Sequence, residues 1–136
     1  MKKFYKYLLL IVLLLLSGCK DRSVYFNYDE MIDQVVKIDV VDAIGGDLIK
    51  DNTYKYLLTL DNELLDDFLL DLSQIEFAKV FLHNGYRPWK ITFIIYYRGG
   101  DYDYINLSDS TCSNYYVGLS AEDYNYLVDK YYYQII

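Results

Sequence analysis

Few side chains in this chain have the types and spacing that chemistry needs. There are two cysteines, Cys19 and Cys112, and a single histidine, His83. A thiol nucleophile requires a base to raise its thiolate fraction, and His83 is the one imidazole that could serve Cys112. The two fall on separate expected strands, so only tertiary structure could join them. Carboxylates are more plentiful. Asp66, Asp67 and Asp71 sit close together, and Asp101, Asp103 and Asn106 follow a D-x-D-x-x-N spacing. Neither group makes a cation site. The first lies on an expected helix without loop carbonyls, and the second lacks the loop glycine and closing glutamate. Gly45-Gly46 has neither the spaced glycines of a dinucleotide-binding turn nor the Gly-Lys-Ser/Thr of a P-loop, and reads as a turn. No catalytic residue, metal or cofactor is expected. A hydrolase would need Cys112 against His83, or a pocket gathering Asp101 and Asp103.

Recognition chemistry is better represented. The chain carries eighteen tyrosines, two of them before Cys19. A tyrosine has an apolar body and a polar tip, so a row of them builds a half-buried sheet face or displays a contact surface at low side-chain entropy. The same bias towards Tyr, Ile, Asp, Asn and Lys is also what an AT-rich genome produces. The candidate binding residues are Tyr96, Tyr102 and Tyr104, with Tyr86 and Trp89 in the loop Asn84 to Trp89, where the chain's sole proline and tryptophan occur. Trp89 either stands on that loop or tucks into the core at the start of the next strand.

Hydropathy periods indicate the elements that position these residues. A helical turn is expected around Met31 and Ile32, and a strand over Val35 to Ala43, where Val36, Ile38 and Val40 alternate with Lys37 and Asp39. Tyr54 to Leu60 reads as a second strand. Asp61 or Asn62 then caps a helix, in which Leu64, Leu65, Phe68, Leu69 and Leu72 face a core and Glu63, Asp66, Asp67 and Asp71 face water. A strand is expected from Ile75 to His83. Ile91 to Tyr97 and Tyr102 to Leu107 flank Arg98-Gly99-Gly100-Asp101 as a hairpin. A two-residue loop would oppose Phe93 to Asn106. A three-residue loop, with Gly100 in the left-handed region, opposes Phe93 to Ile105 and puts Tyr96, Tyr102, Tyr104 and Ile94 on the outer face. The second register sorts the faces and is the one expected. Ser108 to Asn114 reads as a polar turn with Cys112 in a loop or partly buried, and Tyr115 to Leu119 as a last strand. Ser120 caps a closing helix with Tyr124, Leu127, Val128 and Tyr131 on one stripe, and the apolar tail Tyr132 to Ile136 should pack. The expected class is α+β, a mostly antiparallel sheet of four to six strands with two helices on one face.

Before this domain, Lys2, Lys3 and Lys6 precede nine apolar residues, Leu8 to Leu16, and then Ser17-Gly18-Cys19. Nine helical residues rise about 14 Å against a hydrocarbon core of about 30 Å, which suits a leader rather than a span. The run Leu16-Ser17-Gly18-Cys19 resembles the lipobox of bacterial lipoproteins. That resemblance implies a diacylglyceryl group on the Cys19 thiol and cleavage before it, leaving Cys19 as the first residue of the mature chain. Two or three acyl chains then anchor the protein, since each buried methylene contributes about 0.8 kcal/mol. The resulting layout is a signal peptide over 1–18, a lipidated cysteine and tether over 19–30, and one domain over 31–136. The segments Ile91-x-Phe93-x-Ile95-Tyr96-Tyr97, Gly-Gly-Asp and Tyr124-x-x-Leu127-Val128-x-x-Tyr131 are similar to the tails of small envelope lipoproteins from low-GC bacteria, a likeness that implies no activity.

Removing 1–18 leaves ten basic and twenty acidic side chains, a net charge of −10. Such a domain is repelled by nucleic acid and by anionic bilayers, so lipid must supply the membrane contact. With Cys19 acylated, Cys112 has no intramolecular disulfide partner. The expected function is that of an extracytoplasmic, membrane-anchored, non-catalytic module binding an envelope protein or glycan. An acidic inhibitor or immunity-type protein, and a small envelope hydrolase, are the alternatives.

Overall fold

The computed structural model describes residues 2–18, 23–43, 54–79, 91–107, 110–112 and 115–136. The chain begins with α1 (Lys2–Gly18), whose residues from Leu8 to Leu13 are 44–63% exposed. Its 17 residues rise about 26 Å, and no helix among the described residues is long and apolar enough to cross a membrane. After α1 come β1 (Ser23–Val24), α2 (Tyr28–Gln34), β2 (Val35–Ala43), β3 (Tyr54–Leu60) and α3 (Asn62–Ser73). They are followed by β4 (Phe77–Lys79), β5 (Ile91–Tyr97), β6 (Tyr102–Ile105), β7 (Ser110–Cys112), β8 (Tyr115–Gly118) and α4 (Ala121–Val128), which runs into a π-helical turn over Asp129–Tyr133.

The fold is α+β with antiparallel pairing throughout the described strands. Eight described strands divide into two four-stranded sheets, ordered β3-β2-β5-β6 and β1-β4-β8-β7, where the sequence pointed to a single sheet. Each described α-helix of the domain starts at a side-chain cap. Asn27 accepts from Glu30 N–H, Asp61 from Leu64 N–H and Ser120 from Asp123 N–H, so a backbone donor that the helix leaves unpaired is satisfied locally. α2, α3 and α4 all feed one core with the inner faces of both sheets. Phe68 of α3 lies at its centre, 4.9 Å from the Phe93 ring and 5.0 Å from that of Tyr131.

The hairpin adopts the expected register, with Phe93 opposite Ile105, Ile94 opposite Tyr104 and Tyr96 opposite Tyr102. Tyr97 N–H donates to the Asp101 carbonyl across a three-residue loop, in which both Gly99 and Gly100 hold positive φ. A side chain at either glycine would meet open space, so the demand for glycine comes from the backbone angle alone.

Several expectations are corrected. Residues 23–30 do not act only as a tether, because β1 pairs with β4 and Phe26 is buried against Phe77. Asp71 does not simply face water. Its carboxylate accepts from the Tyr131 hydroxyl and from Lys130 Nζ at 2.8 Å, tying α3 to the end of α4. Cys112 lies on β7, buried, in a stretch that reads as a turn because its residues are polar. The C-terminal tail packs only at its start, where Tyr132 lies half-buried against the core, and Tyr133, Ile135 and Ile136 are left exposed. Within the expected strand Ile75 to His83, β4 accounts for Phe77–Lys79, and residues 80–90 lie outside the described residues.

The two sheets meet where β6 lies beside β7, and side-chain hydroxyls bridge them. Tyr104 N–H donates to Thr111 Oγ1 at 3.1 Å, and Asn106 N–H donates to Ser110 Oγ at 3.0 Å. Ser110 Oγ donates back to the Asn106 carbonyl, and Thr111 Oγ1 donates to Asp103 Oδ1. Each sheet edge thereby covers the other. Thr92, on β5, is the opposite case: its hydroxyl is wholly buried with no hydrogen-bond partner among the described residues.

One chemical change therefore has opposite expected effects at two positions. Thr111→Val should lower the unfolding free energy by about 2 kcal/mol, because it strands a backbone donor and weakens the hold on a buried carboxylate. Thr92→Val should raise it by about 1 kcal/mol, because it removes a desolvated hydroxyl at nearly constant volume. Urea unfolding of the two variants checks both signs.

Candidate functional site

The side chains of β2, β3, β5 and β6 that point away from the core form a tyrosine-rich face. Opposite pairs place Tyr56 beside Val41, Tyr104 beside Ile94 and Tyr102 beside Tyr96. Val41 and Ile94 are buried under Tyr54 and Tyr96, and among the described residues no helix residue belongs to this small cluster. Tyr96 and Tyr104 are half-buried, Tyr102 is 41% exposed and Tyr56 is 56% exposed. Three of the five sequence candidates, Tyr96, Tyr102 and Tyr104, thus share one face. Tyr86 and Trp89 lie outside the described residues, as do Cys19 and His83.

A polar chain stiffens this face. Asp39 is only 5% exposed, and it accepts from Thr59 Oγ1 at 2.7 Å and pairs with Lys37 Nζ at 3.1 Å. Thr59 also shares a hydrogen bond with the Tyr56 hydroxyl, and Lys37 Nζ stands 4.7 Å over the Tyr96 ring. The alternation of β2 showed Asp39 on the water side. It gave no sign that Thr59, twenty residues along the chain, would donate to it, with Tyr56 joined in turn to Thr59. Burial, followed by the hydrogen bond with Tyr54, drives the Tyr96 hydroxyl well above its ordinary value, so it stays a neutral donor.

On the other side of the same sheet, α2 and the β5–β6 hairpin enclose a cavity of about 420 Å³. Tyr25, Phe26 and Asn27 approach it from the segment before α2, and Glu30, Met31 and Gln34 from α2 itself. The hairpin supplies Tyr97, Arg98, Asp101, Tyr102 and Asp103, and β7 supplies Cys112. The Arg98 N–H donates to the Gln34 carbonyl at 2.8 Å, which ties the hairpin loop to the end of α2. In the wall, Asp103 is 2% exposed and accepts from Tyr97 Oη at 2.6 Å and from Thr111 Oγ1 at 3.0 Å. Burial and this carboxylate together hold the Tyr97 hydroxyl far above its ordinary value.

The cavity does gather Asp101 and Asp103, but not as a matched acid–base pair. One is exposed at the rim, and the other is buried with a hydroxyl already donating to each oxygen. A neutral phenol fixed on a carboxylate is suited to holding a ligand. Among the described residues no group of three or more His, Cys, Asp or Glu side chains is placed to hold a metal ion. The sequence did not reveal this cavity. Its walls come from three separate stretches of chain, 25–34, 97–103 and 112, and the one local signal was the acid spacing at Asp101 and Asp103.

No protein-family model, no curated protein and no solved structure matches this chain.

The buried phenols predict an alkaline limit to stability. Tyr124, whose hydroxyl donates to the Ile91 carbonyl at 2.7 Å, is raised by burial from 10.0 to about 12. Unfolded chains lose this proton near the ordinary value while the folded chain retains it. The contribution is therefore complete below pH 10.0 and is lost as pH rises through about 12. Tyr124→Phe should cost about 1 kcal/mol at neutral pH through the lost hydrogen bond. It should also flatten the fall of melting temperature above pH 10, as followed by circular dichroism.

Proposed function

We propose that this chain is an extracytoplasmic bacterial lipoprotein, held to a membrane by acyl chains on Cys19, and that its mature domain is a non-catalytic module that binds an envelope protein. The observation that carries the anchor is α1. Its apolar residues from Leu8 to Leu13 lie exposed instead of joining the core, and in the sequence the run ends at Ser17-Gly18 beside Cys19. Water does not favour such a helix, so it belongs in a bilayer or a translocation channel until it is removed. An acidic domain cannot substitute for the lipid, because anionic headgroups repel it.

The tyrosine-rich face supports the binding role. Exposed Tyr102 stands opposite half-buried Tyr96 and exposed Tyr56 opposite Val41, on a sheet stiffened by the Asp39 network. Rigid aromatic groups with polar tips contribute much of the energy of protein contacts, because they desolvate well and lose little entropy. The charge of the domain favours a partner with a basic rim. The exposed acids Asp66 and Asp67 of α3 are the alternative contact, that of an inhibitor of a basic protein.

Labelled fatty acid should enter the native chain and not a Cys19→Ser variant, and equal labelling of both would refute the anchor. Crosslinking in intact cells should capture a protein that is lost with Tyr56→Ala plus Tyr102→Ala and retained with Asp66→Lys plus Asp67→Lys. The reverse pattern would move the contact to α3 and favour the inhibitor reading, and capture of glycan alone would favour a saccharide ligand.

A further inference from the structure

We infer that the cavity between α2 and the β5–β6 hairpin binds a small organic cation, an amine or a quaternary ammonium. Its volume of about 420 Å³ falls within the range of small-molecule sites. Among the described residues that line it the charge is one-sided, with Glu30, Asp101 and Asp103 against the one guanidinium of Arg98. An anion would meet three carboxylates there, and a neutral apolar ligand would cover the Asp103 carboxylate and the Tyr97 hydroxyl without satisfying them further.

An ammonium group meets complementary chemistry at both depths of the cavity. In the wall, the Asp103 carboxylate is fixed by Tyr97 and Thr111, so it needs no reorganisation to receive positive charge. At the rim, Glu30 and Asp101 are exposed and add long-range attraction. Tyr25, Tyr97 and Tyr102 are among the residues that line the cavity, and tyrosine ring faces attract cations, most strongly those that shed water easily. A bare metal ion does not fit this description, because the described carboxylates do not converge as a ligand set. This site does not depend on the lipid anchor or on the outer tyrosine face, although Tyr102 borders both the face and the cavity.

The test is calorimetric titration of the detergent-solubilised full chain with choline, with putrescine, and with 3,3-dimethylbutan-1-ol, the uncharged carbon isostere of choline. The expected result is saturable binding of at least one cation, about tenfold or more tighter than the alcohol. Glu30→Gln combined with Asp101→Asn should weaken that binding about tenfold while leaving the circular dichroism and melting temperature close to those of the native chain, since both positions are exposed. Tyr25→Ala, a lining position away from the outer tyrosine face, should weaken it further. Binding of neither cation up to about 50 mM, equal binding of choline and the alcohol, or undiminished binding by the double variant would each overturn the inference.

Discussion

A carboxylate on the core side of a strand is costly to bury, and the arrangement around Asp103 follows from meeting that cost. Asp103 faces the same way as Phe93 and Ile105, and its two oxygens are satisfied from different directions. Tyr97 approaches from within its own sheet and Thr111 from the other. Thr111 also accepts from Tyr104 N–H, so the group that neutralises the acid also closes the sheet edge. Asp103 thus contributes at once to the juncture of the two sheets, to the cavity wall and, after burial, to the raised value of the Tyr97 hydroxyl.

Tyrosine meets three different demands in this molecule. Tyr124 and Tyr131 are core residues whose hydroxyls reach a carbonyl and a carboxylate at the edge of the apolar region. Tyr97 serves as a permanent donor, because burial beside Asp103 keeps its proton in place. Tyr54, Tyr56, Tyr96, Tyr102 and Tyr104 cover the outer side of a sheet whose small cluster, Val41 and Ile94, would otherwise lie open to water. An apolar body covers or joins apolar neighbours while the polar tip finds a partner or solvent, which neither Phe nor Ser could do.

Much of the fold was legible because it rests on short-range physics. The β2 bounds follow from its alternating β-branched run, although Val36 turns out exposed at a register shift. Those of β3 follow from a run that ends at Asp61-Asn62, α3 from its apolar stripe and acid cap, and the hairpin register from the rule that a one-residue slip exchanges the faces. Tyr96, Tyr102 and Tyr104 could be assigned to one face on that ground alone. β7 could not be found, because Ser110 and Thr111 resemble turn residues until β6 lies beside them. Asp71 looked like one more solvated acid of α3, and the residues that claim it, Lys130 and Tyr131, are some sixty positions further along.

By itself the sequence determined the apolar run that ends beside Cys19, the acidic charge of the domain after it, the positions of the main strands and helices, and which tyrosines share a face. These depend on composition, on period and on turns of a few residues, where each side chain's surroundings are set by near neighbours. Only the tertiary structure decided that the strands form two sheets, that hydroxyls join them, and that Glu30, Asp101 and Asp103 border one cavity. Those outcomes depend on which distant segments satisfy a buried polar group, and no local pattern encodes the identity of the partner.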